Sequence, residues 1–395
     1  MQSPRPRAEI RSLTGLRGIA AVWVMVGHYF GEQPGPALFH TLAGHMYLAV
    51  DFFMILSGFV LALTYEGRFS PRISLPEYGR FVQHRIARVF PLYLLVTSFC
   101  LIMMSLGIGD NCSTRTPVAV LLNYLMAQSW WWPDDSISGT GWSLSIEWGL
   151  NLLFPAFVVL FLHVRREWAV LIGAAAAVAL VALAVLDGQI SSDQTMLGAI
   201  DWYYVPQSLV RCTSEFGLGM LCWRLRPALA WLAGTRIQMA LVLAMLLALL
   251  WPQLDVVFVG LACLLVVGCS FETSNVAAWL GRRVPHWLGA ISFSIYLLHL
   301  PILPLRALLA GWISGVKVVD YYVIGSVPQG LACMAVVLGL STLSFHGFER
   351  PAQRWLKRRR AEPYPASMSS ALGSPGAVAQ ASSTSVTIRR PAPSA

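Results

Sequence analysis

A chain of 395 residues, 56% hydrophobic and only 12% charged, with a mean hydropathy of +0.62, holds far more long apolar runs than a soluble domain can bury. Its net charge of +9 lies in the connections between those runs and in the C-terminal tail, which fits anchoring to a lipid bilayer with anionic headgroups; no nucleic-acid module accompanies it. No succession of alternating ten-residue segments suggests an outer-membrane barrel, so the expected class is an all-α polytopic integral membrane protein.

Ten spans are predicted, at about residues 12–31, 46–65, 90–108, 148–163, 168–186, 205–224, 237–252, 255–271, 288–310 and 325–347. Basic residues test the count. Arg5, Arg7 and Arg11; Arg68, Arg72, Arg80, Arg85 and Arg88; Arg165 and Arg166; Arg224, Arg226 and Arg236; Arg282 and Arg283; and the run from Arg350 to Arg360 all fall at alternate ends. The opposite connections hold little basic beyond Arg115 and Lys317, and carry Glu32, Asp110, Asp134, Asp135, Asp187, Asp193 and Asp201 instead. The positive-inside rule then puts both termini in the cytoplasm, and the alternation calls for an even number of spans. Residues 1–11 form a cytoplasmic N-terminus, and 12–360 form one membrane domain. Residues 361–395, rich in Ser, Pro and Ala, form a disordered cytoplasmic tail.

The first span (RSLTGLRGIAAVWVMVGHYFG) reads as retained rather than cleaved, because Arg17 interrupts its start and no prompt small-x-small site follows. Arg17 and His28 are eleven residues apart, three helical turns or about 16 Å, and so share a face. Ionisable groups inside a span are costly and point to function.

The second span contains one acid, Asp51, expected at a depth similar to His28. A carboxylate there would fix the imidazole tautomer of a general base. The alternative is a polar pair that only fastens two helices.

Before the third span, Arg85 and Arg88 in HRIARVFPLY share a helix face and are suited to one phosphate-bearing ligand, with Arg17 at the same level; ordinary topological anchoring is the alternative. Residues 118–131 are apolar but short, as in a re-entrant or interfacial piece.

At the outer start of the fourth span, GTGWSLSIEWGLNLLFP brings together Trp142, Ser143, Ser145 and Glu147. Glu147 suits either an acceptor-positioning acid or a helix N-terminal acid. In the sixth span Arg211 and Glu215 form an i,i+4 pair that would neutralise itself. The ninth places Ser292, Ser294, Tyr296 and His299 mid-membrane, with Tyr296 and His299 as a helix contact or part of a tunnel wall. Glu349, in FERP, is expected to pair with a cytoplasmic arginine. Trp142, Ser143, Arg211, Glu215, Tyr296 and His299 are thus candidates for substrate contact or cavity lining.

Aromatics at Trp130, Trp131 and Trp132, and at Trp202, Tyr203 and Tyr204, read as an interfacial belt. Six of the seven cysteines sit in apolar spans and Cys112 in an outer loop, without a CxxC pair. Walker loops, dinucleotide-binding glycines and HExxH are absent, and no metal site is expected.

The motifs LTGLRGIAAVWVMVGH, VDFFMILSGFVL, RIARVFPLY, GWSLSIEW, VRCTSEFGLGML, LGAISFSIYLLHLPI and FERP, in this order from about residue 10 to 355, resemble the membrane acyltransferase-3 family. Its bacterial members O-acylate surface polysaccharides, lipopolysaccharide, other glycans and some antibiotics. The resemblance implies ten helices around a polar cavity in the bacterial inner membrane. It also implies transfer of an acyl group, acetyl being the expected one, from cytoplasmic acyl-CoA to a hydroxyl of a carbohydrate or glycolipid. Acyl-CoA is then a co-substrate, and no cofactor is required.

By the family pattern, Arg17, Arg85 and Arg88 bind acyl-CoA, and His28, Asp51 and Glu147 are catalytic. Direct attack by an acceptor hydroxyl deprotonated by His28 is the expected mechanism, with a covalent acyl-enzyme on Ser143, Ser145 or a cysteine as the variant. A transporter or flippase is the rival from another class, although no repeat relates the two halves. The other polytopic type of O-acyltransferase lacks these motifs.

Overall fold

The computed structural model describes residues 9–31, 35–69, 73–108, 116–130, 136–190, 205–314 and 326–358. The expectations for Cys112, Arg115, Lys317, Trp131, Trp132, Trp202, Tyr203, Tyr204 and the tail from 361 fall outside them.

The described residues are helical, without a strand. In chain order the α-helices are α1 (Arg11–Phe30), α2 (Ala37–Gly44), α3 (Leu48–Tyr65), α4 (Leu75–Ser105), α5 (Pro117–Tyr124), α6 (Gly141–Leu152), α7 (Phe154–Val158), α8 (Arg166–Ile190) and α9 (Val205–Leu225). They continue as α10 (Thr235–Ala248), α11 (Asp255–Cys269), α12 (Asn275–Leu280), α13 (Arg283–Ala290), α14 (Ser292–Leu298), α15 (Ile302–Ser314), α16 (Val327–Ser344) and α17 (Arg350–Arg358).

Among the described residues, four helices are long and apolar enough to cross a membrane: 37–65, 75–105, 166–186 and 327–356. Counting each bent pair as one crossing raises this to six. One pair bends by 64° at Leu153, just before Pro155, and the other by 107° at Gly234.

The ninth expected span differs most from its reading, since residues 283–314 form three short helices in place of one. Pro301 lacks the N–H that would bond to the Leu297 carbonyl, so the helix stops at Leu298 and restarts at Ile302. Residues 117–124 form an eight-residue helix followed by turns, too short to span.

Close backbone approach, made possible by glycine, sets the packing around the site. A Cβ on Gly219 of α9 would lie 2.1 Å from the Ile55 carbonyl of α3, and one on Gly58 would lie 2.0 Å from the Phe216 carbonyl. On the other side of the bundle, a Cβ on Gly289 of α13 would meet the Thr14 carbonyl of α1 at 1.8 Å. Small residues of this kind let helices associate by van der Waals contact where no hydrophobic force drives them together.

The start of α1 is also tied down. Glu272 accepts from the Arg11 backbone N–H at 2.7 Å, and the Ser12 hydroxyl donates to the Cys269 carbonyl at 2.8 Å. These contacts fix the axial position of Arg17.

The long α4 begins at Ser74, whose hydroxyl accepts from the Glu77 N–H and donates to the Glu77 carboxylate at 3.0 Å, a capping arrangement that satisfies an otherwise orphaned donor. Pro91 removes the bond to the Ala87 carbonyl one turn beyond Arg88.

Candidate functional site

A cavity of about 560 Å³ opens between α1, α3, α4, α6 and α14. Its walls carry Arg17 from α1; Ser57 and Thr64 from α3; Arg85 and Arg88 from α4; Ser143 and Glu147 from α6; and Ser292 and Tyr296 from α14. Apolar groups such as Phe53, Met54, Leu144 and Phe293 line the rest. A volume of this size suits a substantial ligand arm, and the mixture of apolar walls with a few polar groups is that of a small-molecule site.

Three guanidiniums dominate one part of the cavity. Arg17 and Arg85 act electrostatically on Arg88, as does Glu147. The Nε atoms of Arg17 and Arg85 are buried without hydrogen-bond partners, while Arg88 is exposed. Like charges this close repel, and an anion between them relieves the repulsion and satisfies the vacant donors.

Glu9, outside the helices, lines the same cavity. Burial pushes its pKa up, but hydrogen bonds from Thr14 and His286 and the charge of His286 outweigh burial and leave it below the ordinary value. It is therefore an anion at neutral pH.

Glu147 was expected at the opposite mouth, across the membrane from Arg85 and Arg88. It lies with them instead. Arg85 Nη2 donates to Glu147 Oε1 at 3.1 Å, and the Ser57 hydroxyl donates to the same oxygen at 2.7 Å. The physical reason is the start of α6 at Gly141, seven residues ahead of the predicted span, which carries Glu147 about 9 Å along the helix and into the bundle.

Asp51 is likewise not where the sequence put it functionally. Its carboxylate takes two hydrogen bonds from Arg211, Nε to Oδ1 at 3.1 Å and Nη2 to Oδ2 at 2.5 Å, and Glu215 Oε1 stands 3.5 Å from the same guanidinium. Asp51 and Glu215 are 0% exposed and Arg211 is 1% exposed. A cation so completely removed from water requires a carboxylate in register, and the bidentate fork selects Asp51 from the neighbouring helix. These three residues clamp α3 to α9 and do not line the cavity. Tyr47 extends the cluster, its carbonyl accepting from Arg211 at 3.4 Å and its hydroxyl donating to Asp255 at 2.7 Å.

His28 therefore has a different orienting group. Its Nδ1 lies 3.0 Å from the Val24 carbonyl one turn earlier. A carbonyl only accepts, so Nδ1 carries the proton and Nε2 presents its lone pair, the tautomer a general base needs. The His28 ring is exposed, and its centroid is 5.0 Å from that of His299. Although Arg17 and His28 lie on one helix, they do not open into one cavity, for its lining includes Arg17 but not His28.

Between them stands the wall of α14. Tyr296 lines the cavity, bonds through its hydroxyl to the Ser143 hydroxyl at 2.7 Å, and has its ring centroid 5.9 Å from that of His299. The Thr140 hydroxyl donates to the Tyr296 carbonyl at 3.1 Å, which fixes this contact between the α6 region and α14.

Trp142 is half-buried against an apolar cluster away from the lining, and Ser145 accepts from the Ser129 N–H. Glu349 accepts from the Ser294 and Ser344 hydroxyls and acts electrostatically on Arg88. Among the described residues no three His, Cys, Asp or Glu side chains group to hold a metal. The residues that sequence reasoning passed over are Ser57, which lies within the motif VDFFMILSGFVL but is given no role by it, and Glu9, which lies before the first span.

Comparison with known proteins gives the site its context. Residues 10–346 match the family described as "Acyltransferase domain", of the acyltransferase-3 type. The chain is 28% identical over 378 residues to "Acyltransferase MdmB" of Streptomyces mycarofaciens, a match covering 88% of this chain and 93% of that protein. Over 102 residues it is 39% identical to "Protein 2 in picA locus" of Rhizobium radiobacter, covering 24% of this chain and 44% of that one. No solved structure matches.

Proposed function

Because the chain belongs to the acyltransferase-3 family and is a membrane acyltransferase, we propose that it moves an acyl group, acetyl first, from cytoplasmic acyl-CoA to a hydroxyl of a cell-envelope glycan or glycolipid. The observation that carries this reading is the cavity in which Arg17, Arg85 and Arg88 converge beside apolar walls. Clustered guanidiniums suit the phosphates of a coenzyme A thioester, and the apolar walls suit its pantetheine arm. In this reading the arginine end faces the cytoplasm of a bacterial inner membrane, both termini lie there, and ten crossings complete the bundle.

For transfer the acyl carbon has to pass Tyr296, the α14 side chain that separates the cavity from the His28–His299 pair. His28 Nε2 takes the proton of the acceptor hydroxyl, whose oxygen forms the new C–O bond as the C–S bond breaks; the thiolate leaves and is finally protonated. Val24 holds the tautomer of His28, and the clamp of Asp51, Arg211 and Glu215 holds the helix that forms one cavity wall. Glu147 sets the position of Arg85.

Proteoliposomes of the purified protein, supplied with acetyl-CoA labelled in the acetyl group and an envelope glycan extract, test the proposal. Label in the glycan together with free CoA thiol is the expected result. Glycan carried across the bilayer with the thioester intact would replace this reading with a flippase.

A further inference from the structure

His299 is 0% exposed, and its Nε2 is buried without a hydrogen-bond partner. Its Nδ1 lies 3.1 Å from the Ile295 carbonyl, so that nitrogen carries the proton and Nε2 is a bare acceptor. The ring beside it is His28, whose Nδ1–H likewise donates to a carbonyl one turn earlier, that of Val24. Two acceptors cannot bond to each other, and among the described residues no hydrogen bond joins the two rings.

A buried acceptor left vacant is costly, and a donor that reaches it in another state relieves that cost. Water does not reach the His299 ring, and the Tyr296 hydroxyl is occupied by Ser143. The neighbour whose donor content changes during catalysis is His28. The backbone supports this state from the other side as well: the Tyr29 hydroxyl, one residue on from His28, donates to the His299 carbonyl at 2.7 Å and ties the broken segment after α14 to α1.

We propose that His299 is a positioning residue of the transfer reaction, its Nε2 accepting a hydrogen bond from the Nε2–H of His28 once His28 has taken the acceptor proton. This rests on the reading of His28 as the base. The acceptor oxygen bonds to the acyl carbon, the C–S electron pair leaves with sulfur, and the proton resides on His28. His299 stabilises that imidazolium by a charge-assisted bond until the proton passes to the thiolate. At the end of the cycle both rings are neutral and the vacancy at His299 returns.

Paired isosteres test this. In His299→Asn the side-chain amide keeps a donor for the Ile295 carbonyl but places no acceptor at the Nε2 position, while His299→Gln reaches that position with its carbonyl oxygen. With acetyl-CoA as donor and envelope extract as acceptor, at equal amounts of inserted protein, His299→Asn should lose about 10²-fold in kcat at unchanged KM for acetyl-CoA. His299→Gln should recover at least tenfold of that loss. A purely structural His299 predicts the reverse order, with Asn the better substitute, and that result, equal losses or full activity in both overturns the proposal. His28→Ala, measured alongside, separates the failures: if it stays inactive while the His299 order is reversed, the base reading stands and only the positioning role falls.

Discussion

Arg85 and Glu147, 62 residues apart in sequence, meet at 3.1 Å in the wall of one cavity, so the acid of the fourth expected span serves the same end of the site as the arginines. Glu147→Gln keeps the oxygen that Ser57 and Arg85 bond to but removes its charge, which raises the positive potential around the three guanidiniums. Acetyl-CoA should then bind about two- to tenfold more tightly at low ionic strength, measured by calorimetry. Weaker binding would show that the charge on Glu147 is needed to build the donor site.

Arg88→Ala and Arg17→Ala are expected to act mainly on donor binding. Each removes a cation that would contact the ligand in ground state and transition state alike, so KM for acetyl-CoA should rise about tenfold or more with kcat at saturation little changed. The effect should shrink as salt is added, since screening weakens the lost attraction. An unchanged KM in both variants would make these arginines topological anchors.

Asp51→Ala should damage the fold. It removes the bidentate carboxylate from the Arg211 guanidinium, which is 1% exposed and has Glu215 at 3.5 Å. Breaking a buried pair in this way costs about 3–5 kcal/mol. A markedly lower Tm in detergent is expected. A variant with wild-type Tm and no turnover would return Asp51 to direct chemistry.

Gly219→Val places side-chain carbon where the Ile55 carbonyl already lies, 2.1 Å from the first added atom. Separation of α3 from α9, loss of monodisperse protein on size-exclusion chromatography and loss of activity should follow together. A stable, active Gly219→Val protein would show that the two helices do not depend on this approach.

The sequence carries the helical membrane class through composition, and it places Arg17 and His28 on one helix through spacing alone. Arg85 and Arg88, three apart, do reach one cavity with Arg17. What the sequence does not carry is which partner a buried charge selects. Arg211 and Glu215 look self-sufficient at i,i+4, yet a guanidinium has five donors, and its best pair is Asp51, 160 residues away. The sequence suggests a carboxylate as the group that sets the tautomer of His28, whereas a backbone carbonyl four residues back supplies it. The break after α14 is readable in Pro301, but the vacant acceptor it leaves beside His28 depends on three-dimensional packing.

Turnover of acetyl-CoA by correctly inserted His28→Ala, with envelope extract as acceptor, is the measurement on which the base assignment turns. Among the described residues the His28 side chain hydrogen-bonds only within its own helix, to Val24, so its removal should leave folding and acetyl-CoA affinity intact while lowering turnover about 10²- to 10⁴-fold. Near wild-type turnover in that variant would contradict the role given to His28.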